Sequence, residues 1–145
     1  MKPVLILLCG IPASGKSTFA KSLQTHYTIL SSDKIRSELG DVNDQSNNKK
    51  VFDILHERIR EELLKGNSVI VDATNTKRKY RKIILEAVSD IDCFKLADVF
   101  LTDYQTCLER NAKRDRKVPE EVIQKMWNEF QFPSKEEGFG DIWYI

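Results

Sequence analysis

A glycine-rich segment near the start of the chain has the residue types and spacing of a phosphate-binding loop. The pattern G-x-x-x-x-G-K-[ST] is complete from Gly10 to Ser17 and follows an apolar run, Val4 to Leu8. In such a loop the backbone N–H groups face phosphate oxygens beside the positive end of a helix. The lysine reaches the β- and γ-phosphates, and the next hydroxyl coordinates Mg²⁺. The segment therefore predicts that the chain binds a nucleoside triphosphate.

Two cofactors follow from this loop, ATP and Mg²⁺. Lys16 is the predicted catalytic cation, and Ser17 is a predicted metal ligand. The residues expected to contact the nucleotide are Gly10, Ile11, Pro12, Ala13, Ser14, Gly15, Lys16, Ser17 and Thr18, the last of which is expected to start the helix.

A second group of candidate residues, Asp33 and Arg36, follows the second predicted strand. Ligands of open α/β sheets bind at the carboxyl ends of the strands, so Asp33 is expected near the γ-phosphate. There its carboxylate could accept the proton of an attacking hydroxyl, and Arg36 could hold an anionic group of the acceptor. The alternative is that Asp33 caps a helix and Arg36 is its surface partner. Spacing alone does not separate the two.

The apolar run Val69 to Val71 ends in Asp72, the general form of a Walker B segment. Asp72 is expected to face the Mg²⁺ site as a second metal ligand, where it could hold a metal-bound water or orient Asp33 or Arg36. The alternative is that Asp72 or Thr74 only caps the next helix.

Two basic runs are the remaining candidates. Arg110 to Lys117 holds five cations and could form a small lid, residues 110–119, that closes over the triphosphate, although a solvated helix end is the alternative. Lys77 to Lys82 surrounds Tyr80 with five cations, and a stacked base with charge around it is one mode of binding single strands. A solvated helix face is the alternative for the second run, and the presence of a single aromatic residue favours it.

The elements that position these residues alternate between short apolar runs and helical patterns, which indicates parallel βαβ units. The fold class is therefore α/β, a three-layer sandwich with a mostly parallel five-stranded sheet and helices on both faces. Strands are predicted at Val4–Leu8, Tyr27–Leu30, Ser68–Val71, Phe94–Leu101 and within Gly140–Ile145. Helices are predicted at Lys49–Lys65, with Gly66 as C-cap, at Lys79–Ser89, with Ile83, Ile84, Ala87 and Val88 inward, and after Pro119, carrying Val122, Ile123, Met126 and Trp127. A surface loop is expected from Gly40 to Asn48.

Composition narrows the class of protein further. A chain of 145 residues with 41% hydrophobic content is expected to form one domain, residues 1–145. Its 23 basic and 22 acidic residues give a net charge of +1, so affinity for a polyanion must come from local clusters. Cys9, Cys93 and Cys107 have no spacing typical of a disulfide framework or a zinc site. The first apolar run is too short to span a bilayer, which favours a cytoplasmic location.

In this order the segments resemble the P-loop kinase family that includes the 5′-kinase domain of phage polynucleotide kinase and small bacterial kinases of the zeta-toxin and polynucleotide-kinase-like type. The resemblance implies that Asp33 is the general base, Arg36 binds a phosphate of the acceptor, and Arg114 contacts the donor phosphates as a catalytic residue. It also implies nucleotide contact for Arg110 and acceptor contact for Asp72, Thr74, Asn75 and Arg81. Ala73 separates the acid from Thr74-Asn75, whereas in some polynucleotide kinases the acid directly precedes that pair.

The leading hypothesis is an ATP-dependent kinase, a phosphotransferase with an alcohol group as acceptor, and a polynucleotide 5′-hydroxyl is the favoured acceptor. A P-loop kinase of a small metabolite, nucleoside or sugar is the alternative, and the near-neutral charge favours it. A nucleotide-dependent regulatory switch is a third possibility. Neither Asp-x-x-Gly after the phosphate loop nor Asn-Lys-x-Asp is present, which argues against a GTPase.

Overall fold

Five parallel strands form one sheet in the computed structural model, which describes residues 2–40, 46 and 48–145. They are β1 (Val4–Cys9), β2 (Thr28–Ser31), β3 (Val69–Asp72), β4 (Phe94–Val99) and β5 (Asp141–Tyr144). Their order is β2-β3-β1-β4-β5, and every neighbouring pair is parallel. The predicted α/β class with a parallel five-stranded sheet is confirmed.

Six α-helices connect these strands within the described residues. They are α1 (Lys16–Ser22), α2 (Ser32–Leu39), α3 (Asn48–Leu64), α4 (Arg78–Ala87), α5 (Tyr104–Ala112) and α6 (Glu120–Asn128), and a 3-10 turn at Lys135–Glu137 precedes β5. The helix after the phosphate loop begins at Lys16, two residues before the predicted Thr18. Gly66 ends α3 as predicted, with a φ of 88° that favours glycine.

The alternation of side chains along β1 separates two cores. Leu5 and Leu7 belong to a buried cluster with residues of α3 and α4, whereas Ile6 and Leu8 belong to a second cluster with Ala20 of α1. Helices therefore cover both faces of the sheet, which gives the predicted three layers. A third buried cluster joins Ile11 of the phosphate loop to α5 and α6.

The prediction that Ile83 faces inward is wrong, and most of the apolar residues noted on α6 are not buried. Ile83 of α4 is 50% exposed, because α4 turns Arg81, Ile84 and Leu85 inward instead. On α6 only Ile123 of these residues is buried, and Val122 and Trp127 are exposed. Both helices thus bury a narrower apolar face than their sequences suggest.

The predicted surface loop at Gly40–Asn48 lies largely outside the described residues, and α3 already begins at Asn48. Among the residues that the structure describes, none of the helices has the length and hydropathy needed to cross a membrane. All three cysteines are free and buried.

Candidate active site

The phosphate loop follows β1 and turns sharply into α1. Gly15 has a φ of 104°, and a Cβ at Gly10 would lie only 2.7 Å from Ser14 Oγ and 3.0 Å from Phe100 Cβ. Glycine is therefore required at both positions, for conformation at the first and for space at the second. The Gly10 N–H donates to the Thr74 carbonyl at 2.9 Å, which ties the loop to the end of β3.

Lys16 lies inside this loop and is 7% exposed. Its Nζ donates to the carbonyls of Gly10 and Ile11 at 2.9 and 2.8 Å. The pKa of Lys16 is lowered to about 8, chiefly by burial; Arg114 acts in the same direction, whereas Asp72 and Asp33 act in the opposite direction. The ammonium is therefore held at the loop in an environment that an anionic ligand would improve.

Ser17 and Asp72 meet at the predicted metal site. The Ser17 hydroxyl donates to Asp72 Oδ2 at 2.8 Å, so a hydroxyl from α1 and a carboxylate from the end of β3 converge beside the loop. Mg²⁺ takes oxygen ligands and in nucleotide sites is held by one or two carboxylates together with phosphates, so this donor set fits the ion. The capping alternative for Asp72 and Thr74 is wrong, since the N-cap of α4 is Lys77.

Asp33 lies in the first turn of α2 between two guanidinium groups. Arg36 Nη1 donates to its Oδ1 at 2.8 Å, and Arg116 Nη1 donates to its Oδ2 at 2.9 Å. The cap of α2 is Ser31, whose hydroxyl accepts from the Lys34 N–H, so the interpretation of Asp33 as a helix cap is wrong. The carboxylate is instead fixed by side chains, which suits a group that must meet a substrate in one orientation.

Arg36 itself is buried and incompletely satisfied. Its Nη2 donates to Asn48 Oδ1 at 2.7 Å, while its Nε has no hydrogen-bond partner among the described residues. A buried guanidinium donor without an acceptor is costly, so the position of Arg36 is maintained at some expense in stability.

The basic segment Arg110 to Lys117, which begins in the last turn of α5 and continues after it, lies over the phosphate loop. Arg110 approaches it closely, since a Cβ at Gly15 would lie 3.8 Å from Arg110 Nη1. The Asn111 side chain holds the ends of the segment together, donating to the Val118 carbonyl at 2.8 Å and accepting from the Val118 N–H at 3.0 Å. The run is therefore more than a solvated helix end.

Arg81 does not lie where the resemblance implies. Its side chain is fully buried, donates from Nε and Nη2 to both carboxylate oxygens of Glu137 at 2.9 and 3.2 Å, and donates from Nη1 to the Asn75 carbonyl at 2.9 Å. The expectation of direct acceptor contact is corrected: Arg81 supports the segment after β3 from beneath. Asn75, with a φ of 46°, donates in turn to the Leu8 carbonyl at 2.8 Å.

One cavity of ≈ 2040 Å³ brings most of the predicted residues together. Among the residues lining it are Pro12 to Thr18, Asp33, Arg36, Asp72, Thr74, Asn75, Arg110 and Arg114. The sequence did not reveal Arg116, Asn48 or Thr102, whose hydroxyl donates to the Ser14 carbonyl at 2.8 Å. Arg116 lay in a run of five similar cations, and the other two carry no local signal.

A parallel sheet with a phosphate loop after its central strand, an acid at the end of the neighbouring strand and a basic segment above them defines a P-loop kinase domain. Residues 5–133 match the family described as an AAA domain, and the chain belongs to that family.

Relatives and a solved structure support the same class. L-seryl-tRNA(Sec) kinase of Methanococcus maripaludis is 31% identical over 137 residues, 90% of this chain and 53% of the relative. A protein of Autographa californica nuclear polyhedrosis virus, provisionally named a bifunctional polynucleotide kinase/RNA ligase, is 32% identical over 143 residues, 87% of this chain and 20% of the relative. The chain thus spans about half or less of the length of these two relatives.

Among solved structures, that of the Pnkp1/Rnl/Hen1 RNA repair complex matches with a TM-score of 0.80 at 21% identity, over 88% of this chain and 44% of the other. This likeness concerns the fold; the family match and the two relatives confirm the predicted resemblance to P-loop kinases.

Proposed function

We propose that this domain transfers the γ-phosphoryl group of ATP to the 5′-hydroxyl of a polynucleotide. The observation that carries the proposal is the position of Asp33, which lies in the same cavity as the phosphate loop and is held between Arg36 and Arg116. A carboxylate fixed opposite a phosphate loop is placed to take the proton of an attacking hydroxyl.

The donor half consists of the loop and the basic segment above it. The loop N–H groups and Lys16 bind the phosphates, while Arg110 and Arg114 contact the phosphates from the other side. Ser17 and Asp72 would hold Mg²⁺, which would neutralise charge on the phosphate oxygens.

The acceptor half consists of Asp33 and Arg36. The acceptor hydroxyl oxygen forms a bond to the γ-phosphorus, the bond from that phosphorus to the bridging β–γ oxygen breaks, ADP leaves, and Asp33 takes the hydroxyl proton. Arg36 lines the cavity beside Asp33, and its guanidinium supplies positive charge for a phosphate of the acceptor strand. Such a contact selects an acceptor that carries a phosphate near its hydroxyl.

The cavity is large for one small ligand. Its ≈ 2040 Å³ exceeds the roughly 300–1,000 Å³ of ordinary ligand pockets, so it can take a triphosphate together with part of a second large substrate. The names of the two relatives, a kinase of seryl-tRNA and a polynucleotide kinase, also support a nucleic acid as the acceptor.

A small-metabolite acceptor is the second candidate, and the net charge of +1 favours it. Transfer from γ-labelled ATP to a panel of 5′-hydroxyl oligonucleotides, nucleoside 3′-monophosphates, seryl-tRNA, nucleosides and sugars separates the candidates. We expect label on oligonucleotides, with a rate that falls as salt rises. Label on sugars or nucleosides alone contradicts the polynucleotide assignment, and nucleotide-dependent partner binding without any transfer favours a regulatory switch.

The role of Asp33 is tested in the same assay. Asp33→Asn is expected to lower transfer by about 10²- to 10⁴-fold while ATP binding is retained. The matched control is Asp53→Asn, since Asp53 lines the same cavity but pairs with Lys49 on α3. Undiminished transfer by Asp33→Asn removes Asp33 as the base.

A further inference from the structure

The first two turns of α4 carry exposed chemistry that the transfer reaction does not use. Residues 77–82 include five cations around Tyr80, of which Arg81 is buried and the other four line a second cavity of ≈ 640 Å³. Tyr80, Ile83 and Ile84 line the main cavity. Residues on the adjacent face line the second cavity: Lys77, Arg78, Lys79 and Lys82, together with Glu129 and Gln131. The helix thus separates an apolar surface from a basic one.

The apolar surface is unusually open. Tyr80 is 48% exposed, and Ile83, one turn later, is 50% exposed. Phe52 and His56 of α3 line the same cavity, with their ring centroids 6.4 Å apart. Bases stack on aromatic and aliphatic side chains, whereas phosphates do not require such contacts. This surface therefore suits a base.

The charge beside this surface is only partly neutralised. Four cations line the second cavity, and three of them lie beside carboxylates; Arg78 Nε is 3.8 Å from Glu137. Lys77 Nζ lies 3.5 Å from Glu129, and Lys82 Nζ lies 3.9 Å from Glu86. Lys79 forms no ion pair within the described residues, and its Nζ lies 5.1 Å from the centre of the Tyr80 ring. Positive charge and a stacking surface therefore meet at consecutive residues.

We infer that the start of α4 binds the single-stranded part of the acceptor that continues in the 3′ direction from the reacting nucleotide. A base stacks on Tyr80 and Ile83, and the phosphates that follow pass Lys79 into the second cavity. The inference rests on the proposed function, because it assigns a path to the strand whose 5′-hydroxyl meets Asp33. Stacking accepts every base, so this surface binds without sequence preference.

Acceptor length provides the test. KM is measured with a nucleoside 3′-monophosphate and with a 5′-hydroxyl octanucleotide, and Kd of a 3′-fluorescein octanucleotide is measured by anisotropy without ATP. Tyr80→Ala is expected to raise octanucleotide KM and Kd about 5- to 100-fold, and Tyr80→Phe to change them less than about twofold. The mononucleotide KM and the ATP KM stay the same.

The salt dependence of octanucleotide affinity tests the contribution of the Lys79 charge. Lys79→Gln is expected to reduce the slope of log affinity against log salt by about 0.7, the loss of one phosphate contact on a single strand. Lys21→Gln is the matched control, since Lys21 is an exposed lysine of α1 that lines neither cavity, and its slope is expected to equal that of the unaltered protein.

The results that overturn the inference differ from those that overturn the proposed function. An octanucleotide affinity that Tyr80→Ala leaves unchanged, or an equal loss for the mononucleotide, overturns the inference while transfer to 5′-hydroxyls stands. If no 5′-hydroxyl is phosphorylated at all, the proposed function fails, and the anisotropy measurement still decides whether Tyr80 binds single strands.

Discussion

Arg116 Nη1 lies 2.9 Å from Asp33 Oδ2, a contact between residues 83 positions apart in the chain. It joins the basic segment after α5 to the carboxylate at the start of α2. Because Arg36 holds the other oxygen of Asp33, the orientation of the carboxylate depends on both elements. The segment above the donor site therefore also shapes the acceptor site.

Replacing Arg116 should impair transfer more than binding. Arg116→Ala is expected to lower kcat by about 10- to 100-fold through loss of alignment, with the ATP KM nearly unchanged. Stability should change by about 1 kcal/mol or less, since Asp33 is half exposed and such ion pairs contribute little. Steady-state kinetics and thermal unfolding check both statements. Lys113→Ala, an exposed change in the same segment, is the control, and an unchanged kcat in Arg116→Ala disproves the alignment role.

Nucleotide binding should depend on pH through Lys16. Its pKa of about 8 means that Lys16 is charged below pH 8 and increasingly neutral above it. Bound phosphates favour the charged form, so ATP binding above pH 8 takes up a proton, and affinity falls by up to about tenfold per pH unit there. Calorimetry in two buffers of different ionisation enthalpy should show uptake near one proton at pH 9 and little at pH 6.5. Lys16→Met should abolish the difference in proton uptake between the two pH values. Equal uptake at pH 9 and pH 6.5 in the unaltered protein contradicts this role of Lys16.

The metal dependence should reside in Asp72 and Ser17. Asp72→Asn is expected to raise the Mg²⁺ concentration for half-maximal ATP binding by about tenfold or more, because the ion loses an anionic ligand. Ser17→Ala should act in the same direction, while ATP binding measured with EDTA should be similar in all variants. Asp92→Asn, at an exposed carboxylate, is the control. An unchanged Mg²⁺ requirement in both variants places the ion elsewhere.

Arg81 and Glu137 should matter for stability. Both side chains are buried, and Arg81→Met leaves a carboxylate without its bidentate partner, which costs about 3–5 kcal/mol. In a domain of this size Tm should fall by roughly 10 °C. Arg60→Met, which removes a similar but exposed pair with Asp90, should cost less than about 1 kcal/mol. A normal Tm together with a raised acceptor KM in Arg81→Met indicates substrate contact instead.

Features that depend on residues adjacent in the sequence could be predicted from the sequence. The phosphate loop, the acid at the end of β3 and the alternation of strands and helices each depend on neighbours in sequence, and the structure places them as expected. Contacts between distant segments were not predictable in the same way. Nothing in the basic run distinguishes Arg116 from Arg114, and only the fold brings one of them to Asp33.

The inward face of α4 shows the same limit. Hydrophobic periodicity places Ile83 in the core and treats Arg81 as a surface cation, because a guanidinium is buried only when a partner is supplied. That partner, Glu137, lies 56 residues away in the 3-10 turn before β5. The helix therefore rotates to satisfy an ion pair, and Ile83 is left at the cavity.

The two hydrogen bonds between the Asn111 side chain and the Val118 backbone determine when the basic segment loses its conformational freedom. One amide side chain closes the six intervening residues into a ring, with a donor and an acceptor on the same backbone unit. The entropy of ordering that ring is lost when the domain folds, and binding does not have to supply it. The cations above the loop are in this sense preorganised, and more of their attraction for phosphate remains available as affinity.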